Sequence, residues 1–196
     1  MNNTFLETIK IVEGIAQNLS YHQARYESVL DYFGVKDKKE LKEYIDAPLS
    51  ALLRCRLIYD IHSNIEVTYH EYKKREINSL KIIYNDEIEY SMKYAAREAL
   101  DELFALRGSC DDVIIVKGGL ITDTTIANIA FFDDNKWITP KKPLLNGTTR
   151  QRLLDKQKIF EDDIKVDDIK NFSKVALMNA MIDFDIITKN IEEIFC

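Results

Sequence analysis

The chain has 196 residues, 46% of them hydrophobic and 31% charged, which suits one sizeable core or two small lobes and excludes a disordered chain. Its formal net charge of -6 argues against nucleic acid or an anionic membrane as the main partner. Three widely spaced cysteines, no CxxC pair and no clustered histidines predict no disulfide framework and no metal site, and fit a reducing, cytoplasmic setting. The start MNNTFLETIK lacks a basic region followed by a long apolar one, and no run approaches the ~18 apolar residues of a membrane span, so neither a signal peptide nor a membrane anchor is expected.

Phe5 to Val12 reads as a strand, Glu13-Gly14 as a turn and Ile15 to Leu19 as a returning strand. Ser20 is placed to cap a helix from Tyr21 to Phe33 that Gly34 ends. Asp37 predicts a shorter helix through Ile45, closed by Pro48. Three strands follow, at Ala51–Tyr59, Ile65–Tyr72 and Ile77–Tyr84, and short loops join them into a meander packed by helices. From Lys93 to Arg107 the apolar stripe Ala96, Ala99, Leu100, Leu103 and Leu106 predicts a helix. A lobe boundary is expected near Asp86–Tyr90, giving lobes 1–86 and 87–196.

Asp111 to Leu154 is the densest signal: strand, turn, strand, turn, short strand, then a glycine turn opening a helix from Thr149 to Lys156. Beyond it come Ile164–Val166, a helical piece near Asp167–Phe172 and a buried strand at Lys174–Asn179. Gly147-Thr148-Thr149-Arg150 offers backbone N–H groups and two hydroxyls at a helix N-terminus, where an anion is favoured. Asp123 falls at a strand end, suited either to a ring nitrogen or to local N–H groups as a turn aspartate. Asn128 is a ligand contact or a satisfied buried amide. Lys93, at a helix entrance with Arg97 one turn on, is either an activated amine or a surface lysine. His22 and Arg25 share a helix face, and Arg25 is placed either to clamp a phosphate or to sit in solvent. A phosphate cradle, a carboxylate and a lysine together suggest a phosphorylated, imine-forming cofactor. No G-x-x-x-x-G-K-[ST] or G-x-G-x-x-G supports a nucleotide fold.

In this order the residues resemble the class IV, or fold type IV, pyridoxal-phosphate enzymes, a family that includes branched-chain and D-amino acid aminotransferases and aminodeoxychorismate lyases. The resemblance rests on Phe5-Leu6-Glu7-Thr8-Ile9-Lys10, on His22–Arg25, on Lys93, on Asp111–Phe131, and on Thr139-Pro140 through Arg150. It implies an α+β fold with a small N-terminal α/β lobe and a larger, β-barrel-like C-terminal lobe. It also implies pyridoxal 5'-phosphate as cofactor, a small-molecule substrate and a homodimer. Lys93 would be the Schiff-base lysine and later move protons. Arg25, Thr148 and Thr149 would hold the phosphate, Asp123 would pair with the pyridine nitrogen, and Asn128 and Ala127 would line the cofactor side of the sheet.

The chain departs from the pattern in three places. The usual glutamate is Asp123, one methylene shorter. The chain is short, so the hairpin that usually precedes the first active-site strand is expected to be missing. Met178-Asn179-Ala180-Met181 stands where aminotransferases carry a hydroxyl contact to the phosphate, a pattern closer to the aminodeoxychorismate lyases, with Asn179 at the cofactor. The expected function is therefore release of 4-aminobenzoate and pyruvate from 4-amino-4-deoxychorismate, a dianion that Arg54, Arg56 and Arg75 are candidates to bind. The alternatives are an aminotransferase for a branched-chain or D-amino acid, and a non-catalytic relative that serves as a binding partner.

Overall fold

Apolar residues at every second position make Thr4–Val12 a strand (β1) with one dry face, formed by Phe5, Ile9 and Ile11. Glu13 and Gly14, with φ of 50° and 77°, turn the chain tightly into Ile15–Ala16 (β2), as a two-residue hairpin with two positive φ values does. Leu53–Asp60 (β3) and Ile65–Glu71 (β4) complete an antiparallel sheet of order β2-β1-β3-β4. Its register sets Phe5, Glu7, Ile9 and Ile11 opposite Tyr59, Leu57, Cys55 and Leu53. The helix Leu19–Tyr32 (α1) lays Tyr26, Val29 and Leu30 on that face, and each large side chain buried there stabilises the fold by about 1.5–3 kcal/mol.

Across the described residues, 4–187 and 190–195 of this computed structural model, the chain forms two units. The first is Met1–Lys74 with Met92–Ala96, and the second is Arg75–Ser91 with Arg97–Cys196. Within the first, three expectations are corrected. Only Ile15–Ala16 pairs as a returning strand, because Asn18 adopts a left-handed φ of 53° and α1 begins at Leu19, which puts Ser20 inside the helix. Asp37–Ile45 holds only a 3-10 turn at Leu41–Glu43. The backbone N–H groups of Lys39 and Leu41 are taken by the Tyr26 hydroxyl and Gln23 Oε1, so tertiary bonds replace helical ones. Finally, Lys93 does not open a helix. Leu6 N–H donates to the Lys93 carbonyl (2.7 Å), Ala95 N–H donates to that of Thr4 (2.9 Å), and Tyr94 bridges antiparallel to Phe5. The free edge of β1 and the Phe5–Tyr94 ring contact (5.5 Å between centroids) outweigh the helical propensity of this segment.

The second unit carries Leu80–Tyr84 (β5), the helix Glu98–Ala105 (α2), Asp112–Lys117 (β6), Leu120–Thr124 (β7), Asn128–Phe132 (β8) and Trp137–Pro140 (β9). The helix Thr148–Asp155 (α3), Ile159–Asp162 (β10), a 3-10 helix at Val166–Asn171, Lys174–Asn179 (β11), Asp183–Ile187 (β12) and the short helix Ile191–Ile194 (α4) follow. The eight strands make one sheet along β10-β9-β8-β7-β6-β5. It branches at β8, which also pairs with β11, and β11 with β12. Ile114, Val116, Ile121, Ile129, Phe131, Val175 and Leu177 form its core with Ile164 and Ile194. β10 and β12 were not expected, since Phe-Glu-Asp and Asp-Phe-Asp carry too few buried residues to alternate visibly. The mixed sheet and few helices agree with the α+β expectation.

Cys55 is free and buried, and Cys196 lies outside the described residues. No helix among the described residues is long and apolar enough to cross a membrane. Leu57→Ala should cost about 2–5 kcal/mol of stability in urea unfolding, since Leu57 is fully buried opposite Glu7.

Candidate active site

Glu7 occupies a position of β1 that the strand's alternation reserves for apolar residues, and it is fully buried. A carboxylate is tolerated there only if paired. Two residues of α1, spaced i and i+3, provide the pairing. Arg25 grips both oxygens, Nε to Oε1 at 2.8 Å and Nη2 to Oε2 at 2.6 Å, while His22 Nδ1 lies 2.6 Å from Oε2. Burial raises the Glu7 pKa, but the charge of Arg25 and the hydrogen bonds from His22 and Arg25 outweigh it and bring it down to about 2. Burial lowers the pKa of His22, with the charges of Arg25 and Lys93 acting in the same direction against the pull of Glu7. An ionised Glu7 only accepts, so His22 carries a proton on Nδ1 and donates it to Glu7.

Sequence reasoning found His22 and Arg25 but gave Glu7 no role. Its signal was a charged residue at the core parity of an otherwise apolar strand. Lys93 belongs to the same unit. Its carbonyl accepts from Leu6 N–H at the edge of β1, and on the face opposite Glu7 the residues Thr8 and Lys10 of β1 stand beside Arg56 and Arg54 of β3. α2 opens at Glu98 with Arg97 as its N-cap, so Lys93 and Arg97 do not share a helix; Arg97 instead donates to the Thr125 carbonyl (3.1 Å).

In the second unit, Asp123 and Asn128 are register partners across β7 and β8, and both are buried. Asn128 Nδ2 donates to Asp123 Oδ1 and to the Leu145 carbonyl, both at 2.8 Å, and Leu145 N–H donates to Asp123 Oδ2 at 2.9 Å. Burial raises the Asp123 pKa to about 6, and the hydrogen bonds from Asn128 and Leu145 and the more distant charge of Arg150 only partly offset it. A buried carboxylate with incomplete compensation is a frequent mark of a functional site. Three residues past Leu145 the chain enters α3 with Gly147 as N-cap and no side-chain cap; Thr148 and Thr149 in its first turn are buried. Gly147 is required there, because a Cβ on it would lie 1.9 Å from Asn128 Oδ1.

Asn179 Nδ2 donates to the Ile126 carbonyl (3.1 Å), and its Oδ1 accepts from Met181 and Ile182 N–H, so it ties the turn after β11 to the turn between β7 and β8. The three candidate substrate arginines differ. Arg75 pairs with buried Asp112 at 2.5 Å and lies over the Phe104 ring, 4.9 Å from its centroid. Arg54 and Arg56 form no ion pair among the described residues, and register sets them beside Lys10 and Thr8 on one side and His70 and Thr68 on the other.

The two acids have opposite pH signatures. Glu7, lowered from 4.5, contributes stability that is present above about pH 4.5 and lost as pH falls toward about 2, so Glu7→Gln should cost about 3–5 kcal/mol at pH 7 and flatten that acid limb in denaturation profiles. Asp123, raised from 3.8, contributes stability below about pH 3.8 that is lost as pH rises through about 6. In Asp123→Asn apo-protein the fall in stability between about pH 4 and pH 6 should disappear from denaturation profiles, while overall stability drops because the amide NH2 faces a donor that Asp123 accepts from.

A family model described as amino-transferase class IV matches residues 4–189. An uncharacterised protein of Haemophilus influenzae is 39% identical over 181 residues, 89% of this chain and 96% of its own length. A candidate aminodeoxychorismate lyase of Schizosaccharomyces pombe is 38% identical over 89 residues, 42% of this chain and 38% of that protein. The crystal structure of a candidate 4-amino-4-deoxychorismate lyase from Haemophilus somnus superposes with a TM-score of 0.84 at 35% identity, covering 92% of this chain and 97% of that one. A hypothetical aminotransferase from Mycobacterium tuberculosis, solved in its PLP-bound form, shares the fold at 18% identity with a TM-score of 0.77, covering 94% and 80%. The sheet of each unit, the paired Glu7 and the acid beside a glycine turn thus sit in a chain whose matched span runs almost end to end, and this chain belongs to the class IV aminotransferase family.

Proposed function

We propose that this chain is a pyridoxal-phosphate-dependent lyase that cleaves 4-amino-4-deoxychorismate to 4-aminobenzoate and pyruvate. Pyridoxal 5'-phosphate, the cofactor of this enzyme class, supplies when bound an electrophilic carbon for the amine and an electron-withdrawing ring. The side chains fit such a group. Asp123 is a buried acid short of positive charge, which a pyridine N–H would complete, and the uncapped start of α3 with buried Thr148 and Thr149 suits a phosphate. The family resemblance also gives Arg25 to the phosphate, and Glu7 fixes the direction of its guanidinium. Asn128 and Asn179 act at the cofactor through the backbone and acid they hold.

Lys93 would hold the cofactor through its amine, and the same amine, when free, would be the base that takes the proton from the amine-bearing carbon. Departure of the enolpyruvyl group then leaves an aromatic ring, which drives the reaction forward. The observation that carries the lyase reading is the cationic sheet face of the first unit. Arg54 and Arg56 stand there beside Lys10, with no ion pair among the described residues, and a dicarboxylate needs such charges. Arg75, already held by Asp112, is left to a structural role in this reading. The likeness to the Haemophilus somnus candidate lyase supports the same choice.

Purified protein should be yellow, borohydride should fix the colour, and Lys93→Ala should lose it. A colourless wild type that takes up no pyridoxal phosphate points to a non-catalytic binding partner. Release of 4-aminobenzoate and pyruvate supports the lyase, whereas amino transfer to 2-oxoglutarate supports an aminotransferase. Arg56→Gln should raise KM roughly 10- to 100-fold with little change in kcat, while Arg75→Gln should lower Tm and leave KM unchanged. A homodimer belongs to the same proposal, and light scattering should give a mass twice the 22.8 kDa of one chain.

A further inference from the structure

Asp123, Asn128 and Leu145 form a closed hydrogen-bonded ring. Asn128 Nδ2 donates to Asp123 Oδ1 (2.8 Å) and to the Leu145 carbonyl (2.8 Å), and Leu145 N–H returns to Asp123 Oδ2 (2.9 Å). Both amide hydrogens of Asn128 are thereby committed, so it has no donor left for a ligand. Its Oδ1 stands where a side chain on residue 147 would be, 1.9 Å from the Cβ position of Gly147. One buried side chain thus touches the acid, the backbone that leads into the turn, and the N-cap of α3 that carries Thr148 and Thr149.

We propose that Asn128 is a positioning residue that locks the carboxylate of Asp123 and the Leu145–Thr149 turn into one rigid unit, so that a single amide sets the spacing between the ring-facing acid and the phosphate seat. The cofactor roles of that acid and that seat rest on the reading given above. The ring also gives the short Asp123 side chain a fixed direction, since each of its oxygens accepts a bond from the lock. Gly147 serves the same lock from the turn side. Any Cβ there would push the Asn128 amide off Asp123 without removing a hydrogen-bonding group.

Three variants test this: Asn128→Ala, Asn128→Asp, which keeps the shape but removes the donor, and Gly147→Ala. The first readout uses apo-protein and no cofactor, by carbon-13 NMR titration of the Asp123 carboxyl. All folded variants should shift its midpoint upward from the wild-type value by half a unit or more. The second is direct titration of apo-protein with pyridoxal phosphate and with pyridoxal, which lacks the phosphate. The variants should bind pyridoxal phosphate at least tenfold more weakly and lose most of the advantage it holds over pyridoxal. A purely structural Asn128 would lower Tm and leave the midpoint and that advantage unchanged in the protein that remains folded, which overturns the proposal. If wild type binds neither compound, the cofactor reading fails, and the carboxyl midpoint still decides whether the lock exists. Should Asn128→Ala not fold, Gly147→Ala with an unchanged midpoint overturns the proposal by itself.

Discussion

The constraint on which the rest depends is the burial of a carboxylate, which each unit solves differently. In the first, Glu7 is surrounded by a guanidinium and an imidazole N–H, and it stays ionised far below neutral pH. In the second, Asp123 has only dipoles in contact, from an amide and a backbone N–H, and its proton affinity rises instead. A buried carboxylate with a full counter-charge is a fixed structural ion, while one without is ready to receive a cation. This difference separates a residue that holds Arg25 in place from a residue suited to a protonated ring nitrogen.

Elements that look ordinary in isolation acquire their purpose from these two acids. α1 lies on the sheet with His22 and Arg25 directed at β1, so the helix face that builds the core also delivers the counter-charges. On the opposite face of the same sheet Arg54 and Arg56 form no ion pair among the described residues. In the second unit the branch at β8 matters. β8 carries Asn128, pairs with β7 at Asp123, and pairs with β11, whose end holds Asn179 against the turn after Thr125. Turns that are distant in sequence are thereby brought to one end of the sheet.

The corrected expectations share a cause. Lys93 to Ala96 has helix-forming residues, yet its backbone groups pair with β1, because a strand edge with unmet N–H and C=O groups is a stronger partner than an isolated first helical turn. Asp37 to Ile45 likewise yields its N–H groups to Gln23 and Tyr26. Both are cases of side chains and strands far away in sequence competing with local propensity, which a local pattern does not report.

The sequence by itself determined the alternating β1, the apolar stripe of α2, the acid at the end of β7, the glycine turn opening α3, and the family to which they belong. These are short-range patterns, fixed by strand and helix periods and by the backbone needs of a turn. Only the tertiary structure decided that Glu7 is a buried ion, that Asn128 spends its amide on Asp123 and Leu145, and that Arg75 has an ion pair while Arg54 and Arg56 form none among the described residues. The reason is that pairing, burial and charge compensation depend on which residues meet across strands and helices, and residues 5 to 37 positions apart in the chain make those contacts here.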